Sequence, residues 1–572
     1  MPDGEYIELT GGEALIRIAA NLGITHVFGL VGGKLGPLFK ALSVEPRLAY
    51  LGVRHEATGA FMAAGAAARS GKIAMALAET APGGLNLASA LGVAYANSLP
   101  VLAITSDHVA GLSTPSRGAF SSGDNVQVFA PVTKWNARIQ DASRVPELMR
   151  MAFRQALSGR QGPVHLDVPT DVLGQRFRFL KSEIEAPLRA FTALDRTLAD
   201  PASVARAAEQ LLNAKRPLLI AGGGVPASHG VRAFRALAEQ LGAVATSTQM
   251  ALGSVATDDP KFIGHGGFIG GEGVIKALKE ADVVLAIGCR FSSWMWLNGA
   301  PLFRAAPDRT LIQVDIDPLQ IGVNHPVDIG LVGDASAVMG QFADSLAGRR
   351  RSGSDWETSV VAARSDFVAR LKASAREGEG ALHPALVAER IGDQIGENDL
   401  VVFDGGHTSF WSNEFTPALH PRTRFHDPGM AQLGFGLGYA MAMQALHPDR
   451  RVYQITGDGA FGFCLAELDT ARRYGLPVIT LVHNNAAFGV IGFSQDRQGF
   501  RFGEELTETD YAAIARGFGC HGETVKCIEE LDGALERARA SGLPAVIDIH
   551  TRFTPHPLLP VFGKSSSLEA RE

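Results

Sequence analysis

Short apolar runs, each closed by a polar or glycine-containing turn and followed by a stretch of helical periodicity, recur along the whole chain. Residues 48–53 (LAYLGV), 218–224 (LLIAGGG), 283–288 (VVLAIG), 311–317 (LIQVDID), 400–402, 452–455 and 478–482 read as strands. The small-residue stretches FMAAGAAARSG, from residue 61, and GYAMAMQAL, from residue 438, read as helices. Strands alternating with helices argue for βαβ units and parallel sheets. Two stretches of low hydrophobicity, around 178–201 and 348–380, interrupt the pattern, the second of them partly helical. They leave blocks at 1–185, 195–345 and 380–553, followed by a tail at 554–572. Each block has the size of one domain. The first and third look broadly alike in their βα alternation.

Composition narrows the class. At 572 residues the chain exceeds one hydrophobic core. Hydrophobic residues at 46% and charged residues at 20% describe a globular protein. A net charge of −6 implies no general attraction to nucleic acid or anionic lipid. The first residues lack the basic and apolar segments of a signal peptide, and no apolar run approaches the roughly 20 residues of a membrane span. Cys289, Cys464, Cys520 and Cys527 show no metal-type spacing and suit reduced thiols. The expected location is the cytoplasm, with no nucleic-acid or membrane partner.

The densest chemistry lies at 457–485 (GDGAFGFCLAELDTARRYGLPVITLVHNN), where a Gly-Asp-Gly turn follows one apolar run and an Asn-Asn pair follows the next. Asp458 and Asn485 stand 27 positions apart, the length of one strand–helix–strand crossover. Neighbouring parallel strands joined that way bring both side chains to one carboxyl edge, where open α/β sheets bind ligands. A carboxylate and an amide oxygen, completed by water and phosphate oxygens, suit Mg2+. Glycines on both sides of Asp458 let a diphosphate approach the backbone. A metal–diphosphate site is expected.

This segment resembles the cofactor motif of thiamine diphosphate enzymes, in the acetolactate synthase-like branch. The resemblance implies an α/β fold of three doubly wound parallel-sheet domains: pyrimidine-binding, central and diphosphate-binding. It implies that Asp458, Asn485 and the backbone carbonyl of Ala487 hold Mg2+. Gly457, Gly459, Ala460, Phe488, Gly489 and Val490 would line the cofactor beside them.

In the first block, Glu56 sits at a strand-to-helix junction within HEATGAFMAAG, where an acid interacts with the helix dipole. By the resemblance, it is the glutamate that exchanges a proton with the pyrimidine N1′ of the cofactor. Residues 28–34 (FGLVGGK) are similar to the family's FGxPGG loop, which puts Gly33 and Lys34 on the catalytic side. Residues 78–86 (AETAPGGLN) stand where the family has TSGPGxxN and supply Pro82 and Asn86. Residues 161–169 (QGPVHLDVP) resemble its closing strand. In the third block, Gly406, His407 and Thr408 would bind diphosphate after a strand. Leu433 would prop the cofactor into its bent shape, and the Ala431 carbonyl would accept its 4′-amino hydrogen. Singly, each glycine turn is more often structural than catalytic; their order and spacing carry the resemblance.

The central block suggests a doubly wound domain with a switch point. Relatives hold FAD or ADP there. FAD, ADP and an empty domain are all compatible with the sequence, with Arg160, Asp315 and Asp334 at suitable positions.

The substrate side departs from the family. Its RFDDR stretch is replaced by Arg290-Phe291-Ser292-Ser293-Trp294, its FQE by Phe120-Ser121-Ser122 and its TGQV by Ser106-Asp107-His108-Val109. Ser494 stands in place of a tryptophan after the Asn-Asn pair. Lys34 and His108 are polar candidates for the substrate mouth. The leading expectation is an acetolactate synthase-like carboligase acting on a 2-oxo acid or aldehyde. The alternative is a 2-hydroxyacyl-CoA or oxalyl-CoA type lyase or decarboxylase, with an acyl-CoA substrate. The tail is expected to fold back as a lid or to fray. In the family the two halves of a site come from two chains, so a homodimer, often paired into a tetramer, is expected.

Overall fold

The structure, a computed structural model, describes residues 4–113, 117–192, 195–267, 270–292, 295, 309–376 and 381–558. The chain divides into two compact units. One comprises Met1–Leu194, Gly429–Asp449 and Phe463–Val478; the other comprises Asp195–Pro428, Arg450–Gly462 and Ile479–Glu572.

The first unit forms β1 (Tyr6–Thr10), β2 (His26–Gly29), β3 (Ala49–Gly52), β4 (Ala74–Glu79), β5 (Val101–Ser106), β6 (Trp135–Arg138), β7 (Val164–Asp167) and β8 (Arg176–Leu180). β1 and β8 pair antiparallel. The others make a parallel sheet in the order β3-β2-β4-β5-β7-β6.

The second unit contains two parallel six-stranded sheets. One is built from β9 (Pro217–Ala221), β10 (Val244–Ser247), β11 (Phe262–His265), β12 (Val283–Ile287), β13 (Thr310–Asp315) and β14 (Ile329–Val332). Its order is β11-β10-β9-β12-β13-β14, the dinucleotide-fold order. The other is built from β15 (Leu400–Phe403), β16 (Arg424–Phe425), β17 (Val452–Gly457), β18 (Ile479–Asn484), β19 (His521–Val525) and β20 (Ala545–His550), in the order β16-β15-β17-β18-β20-β19.

Counted along the chain, the first and last sheets follow the same path: second, first, third, fourth, sixth, fifth. Both reverse direction between their first and third strands, β2 and β4 in one and β15 and β17 in the other. Crevices at such switch points are where parallel sheets take ligands. The apolar runs make these sheets because their central strands are covered on both faces. Every residue of β5 and of β18 is buried.

Both low-hydrophobicity stretches hold more structure than the sequence suggests. Within 178–201 the chain completes β8 and buries Phe179, and pairing with β1 satisfies the backbone. Within 348–380 lies the helix Asp355–Ser374, opened by a Ser354–Glu357 capping box and burying Val360, Phe367 and Leu371.

The helix Glu56–Ser70, with ten buried residues from Thr58 to Ala67, packs against the helix Phe435–Leu446 of the same unit. Small side chains permit that approach. A Cβ on Gly65 would lie 2.7 Å from Tyr439 Cα, a backbone atom that cannot swing away. Helix propensity alone favours Gly65→Ala by up to about 1 kcal/mol. The clash should win, and the variant should lose roughly 1–3 kcal/mol in chemical denaturation; a gain in stability would show that the two helices are not packed this closely.

Candidate functional site

In the first unit, the candidates gather at the switch between β2 and β4. Glu56 is the first residue of its helix and is half-buried. Asn86 Nδ2 donates to Glu56 Oε2 at 3.0 Å. A Cβ on Gly83 would stand 3.1 Å from Glu56 Oε1, so this glycine leaves the carboxylate its room. His55 caps the helix, its ring Nδ1 accepting from Ala57 N at 3.2 Å.

Gly33 opens a short helical turn after β2. The backbone N–H of Lys34 donates to Glu79 Oε2 at 3.1 Å, and Lys34 Nζ lies 3.6 Å from Glu79 Oε1. The Lys34 ammonium also lies 5.9 Å from the centroid of the Phe120 ring. A Cβ on Gly32 would collide with the Glu79 carboxylate.

Residues 78–86 differ from the open glycine turn their composition suggests. A helix starts at Thr80 and runs to Ala96, with Pro82 in its first turn, where the missing N–H costs nothing. Pro82 is exposed.

His108 Nε2 meets the Phe120 carbonyl, and its backbone N–H donates to the buried Asp107 Oδ1 at 2.7 Å. Ser122 Oγ donates to Asp107 Oδ2 at 3.1 Å. Asp107 therefore ties together two of the four segments that depart from the family pattern. Ala431 (φ +52°) and Leu433 also fall in this unit, in the stretch preceding the helix Phe435–Leu446.

In the second unit, three strand ends converge on one carboxyl edge. β17 and β18 are adjacent, with Gly457 opposite His483, so Asp458 and Asn485 leave the sheet side by side. The intervening helix is broken into three pieces, Asp458–Phe461, Leu465–Glu467 and Leu468–Arg473, instead of one continuous run.

Asp458 is buried. It accepts from Gly459 N at 2.9 Å and from Ala487 N at 3.2 Å. Desolvation raises its pKa to about 6 against the pull of those N–H groups. Among the described residues no Lys, Arg or His forms an ion pair with it. Asn485 Oδ1 is buried with no hydrogen-bond partner. A buried carboxylate without a cation beside an orphaned amide oxygen is a donor set that fits a hard divalent ion. Ala487 forms an isolated bridge with Glu505 that uses Ala486 O and Phe488 N, the groups on either side of it.

At the switch between β15 and β17, Gly405 adopts φ +84°, a conformation that favours glycine, and turns the chain into the helix Gly406–Phe415. No side chain caps that helix, so the N–H groups of its first turn, Gly406, His407 and Thr408, are available to an anion. Thr408 Oγ1 lies 3.1 Å from where a Cβ on Gly457 would stand, and Val490 Cγ2 lies 2.9 Å from one on Gly406. A Cβ on Gly405 would touch Ala460. A Cβ on Gly459 would meet the Phe488 ring at 2.8 Å, and one on Gly489 would meet the His407 ring. The structure thus collects all the third-block candidates except Ala431 and Leu433 in one crevice.

His407 is buried, and desolvation lowers its pKa to about 4, so it is neutral at pH 7. Trp411 Nε1–H donates to its Nε2 at 3.0 Å, and the Thr554 carbonyl lies 2.7 Å from the same nitrogen. What His407 offers an anion is therefore its backbone N–H. The start of the tail is tied down here as well: the Phe553 ring lies tilted against Phe493 at 4.0 Å, and His556 meets Trp411 edge-on at 4.4 Å between centroids. Residues 559–572, Ser293 and Trp294 lie outside the described residues.

The central glycines serve packing. Gly222 N donates to Ile287 O at 2.8 Å and Gly224 N to Gly288 O at 3.2 Å. A Cβ on Gly224 would lie 2.7 Å from Gly288 Cα. Asp334 caps the helix Ala335–Ser345 and pairs with Arg196 at 3.3 Å. Asp315 accepts from Asp317 N, and Arg160 donates to Ser98 Oγ. These roles leave few groups at the candidate positions for a nucleotide.

Sequence reasoning missed Glu79, Asp107 and Glu467, all acids that accept backbone N–H groups. Of eight non-glycine residues at positive φ among those described, Thr80, Ser121, Phe291, Ala431 and Ala486 sit in the segments singled out above. Strain of this kind collects at functional sites.

Models of the thiamine pyrophosphate (thiamine diphosphate) enzymes match the chain in three places. These are an N-terminal TPP binding domain at residues 9–128, a central domain at 204–342 and a C-terminal TPP binding domain at 404–549. Acetolactate synthase of Mycobacterium leprae is 30% identical over 557 residues, covering 95% of this chain and 87% of that protein. The probable acetolactate synthase large subunit of Methanocaldococcus jannaschii is 29% identical over 554 residues, covering 95% and 92%. The acetolactate synthase large subunit of Corynebacterium glutamicum is 29% identical over 558 residues, covering 94% and 86%. No helix among the described residues is long and apolar enough to cross a membrane. With three domain models matched in order and acetolactate synthases 29–30% identical over most of its length, the chain belongs to the thiamine diphosphate-dependent enzymes.

Proposed function

We propose that this protein is a thiamine diphosphate- and Mg2+-dependent carboligase of the acetolactate synthase type, joining a 2-oxo acid donor to a second 2-oxo acid or an aldehyde. The observation that carries the Mg2+ part is the buried, cation-free Asp458 beside the unpartnered Asn485 Oδ1. Asp458, Asn485 and the Ala487 carbonyl hold the ion. The N–H groups of Gly406, His407 and Thr408, with the Thr408 hydroxyl, hold diphosphate oxygens; Gly457, Gly459 and Ala460 keep the floor low enough for them. Phe488, Gly489 and Val490 wall the same crevice.

When bound, the cofactor supplies a nucleophilic carbon and an electron sink for breaking and making carbon–carbon bonds. Glu56 holds the proton exchanged with its pyrimidine ring, and Asn86 keeps the carboxylate oriented. Pro82, Ala431 and Leu433 border the cofactor. Lys34, next to Gly33, and His108 face the substrate: Lys34 as a cation for a carboxylate, His108 as a group able to hold or give a proton. Domain limits of 1–185, 195–345 and 380–553 are consistent with where the three sheets begin and end. The packing roles of Gly222, Gly224, Asp315, Asp334 and Arg160 favour a central domain without FAD or ADP. A location in the cytoplasm accords with four reduced-type cysteines.

With thiamine diphosphate, Mg2+ and pyruvate, the purified protein should release CO2 and form acetolactate. Turnover of a 2-hydroxyacyl-CoA or oxalyl-CoA without acetolactate would assign it instead to the lyase or decarboxylase alternative.

Asp458→Asn tests the metal site with opposite signs in its two forms. The folded pKa of Asp458 is raised from 3.8 to about 6, so its ionised form is penalised above that pH and the penalty fades as pH falls through the same range. Without metal at pH 8, the variant should be at least as stable as wild type, by up to about 3 kcal/mol. Mg2+ with thiamine diphosphate should raise the Tm of wild type and leave the variant unmoved. A variant stabilised by the pair as wild type is would remove Asp458 from the site.

The two halves of the site come from two copies of the chain in this reading. Sedimentation should give a homodimer or tetramer as the active species; a fully active monomer contradicts it.

A further inference from the structure

The chain immediately before Glu56 is held from outside its own sheet and helix. Gly52 N donates to the Tyr474 hydroxyl at 2.7 Å, and Arg473 Nη2 donates to Gly52 O at 2.6 Å. Arg54 N lies 3.1 and 3.2 Å from the two carboxylate oxygens of Glu467, and His55 N donates to Glu467 Oε1 at 3.0 Å. Thr470 Oγ1 donates to Glu467 Oε2 at 2.6 Å and lies 3.3 Å from Arg473 Nη2. Arg54 also pairs with Asp469 at 3.7 Å. Residues 467, 470, 473 and 474 follow helical spacing and share one face. All these groups belong to the first unit.

Glu467 is 1% exposed, and among the described residues it forms no ion pair. Its charge is met by N–H and O–H donors alone, and short donor–carboxylate contacts of that kind are the strong ones. Two of those donors are the backbone amides of the residues directly preceding Glu56, where the helix has no partner of its own to give them.

We propose that Glu467 is a positioning residue for Glu56: by gripping the amides of Arg54 and His55 it fixes where the helix begins and hence where the Glu56 carboxylate stands. Asn86 sets the orientation of that carboxylate, and Glu467 sets the backbone from which it projects. This rests on the proton-transfer role proposed for Glu56.

The test measures exchange of the cofactor C2 proton for deuterium by NMR, amide exchange at residues 52–57, and cofactor affinity by fluorescence titration, each on the full-length protein with thiamine diphosphate and Mg2+. Glu467→Gln keeps the shape but turns one acceptor into a donor. It should speed amide exchange at 54 and 55 and slow C2 exchange by about tenfold to a hundredfold, with affinity nearly unchanged. Thr470→Val, which removes only the hydroxyl supporting Glu467, should move both readouts the same way by less, and it carries the test if Glu467→Gln does not fold. Glu56→Gln is the control. If it exchanges C2 at the wild-type rate, the role of Glu56 is wrong. If it is slow while Glu467→Gln and Thr470→Val exchange at the wild-type rate, the positioning role is overturned. Loss of affinity in step with loss of rate would also overturn it, as that is what a general structural weakening produces.

Discussion

The parallel pairing of β17 with β18 is the constraint on which the rest of the site depends. Two adjacent parallel strands must be joined by a crossover, and their carboxyl ends must then lie at the same edge. That places Asp458 and Asn485 together without any contact between their side chains. It also leaves a long connecting segment whose path is free to be used for something else. Burial of all six residues of β18 makes the register firm, since a slip would move an apolar run out of the core.

A second consequence is electrostatic. Bringing a carboxylate into a buried crevice raises its pKa, and the backbone N–H groups of Gly459 and of residues 485–487 around Asp458 only partly offset that cost. Such an arrangement is a poor way to stabilise a fold and a good way to hold a cation. The adjacent strand end shows the complementary half: an uncapped helix start after Gly405, lined by glycines, presents backbone N–H donors. Metal donors and anion donors sit on adjacent strand ends because the switch between β15 and β17 leaves room there.

The sequence shows this half well. The apolar runs, the glycine turns and the 27-residue spacing all follow from short-range rules, and the fold repeats them faithfully. It also shows Glu56 at a helix start. It does not show what depends on long-range approach. The AETAPGGLN stretch reads as a turn, yet it forms a helix, because Gly83 and Gly84 are needed for closeness to Glu56 and Asn125 and not for bending. The central GGG leaves a nucleotide site or plain packing open, and in the fold it closes against Gly288 from another strand end. His407 reads equally as a diphosphate neighbour or a surface residue, and its ring is buried against Trp411. Glycine and histidine carry several meanings, and only the partner across space selects one.

Substrate choice is illegible for the same reason, taken further. In the proposed reading, cofactor contacts come largely from backbone groups at strand ends, which the fold dictates, and substrate contacts from side chains on connections such as 106–109 and 120–122, which the fold leaves free. Asp107 illustrates the difference: it reaches across to Ser122 while holding His108, so two segments that depart from the family pattern are built as one piece. Giving 120–122 alone the family's FQE would put a glutamate where Ser122 stands and leave the buried Asp107 without that hydroxyl donor. A buried acid short of donors is costly. The acid at 107 and the hydroxyl at 122 are thus physically tied, and a change at one bears on the other.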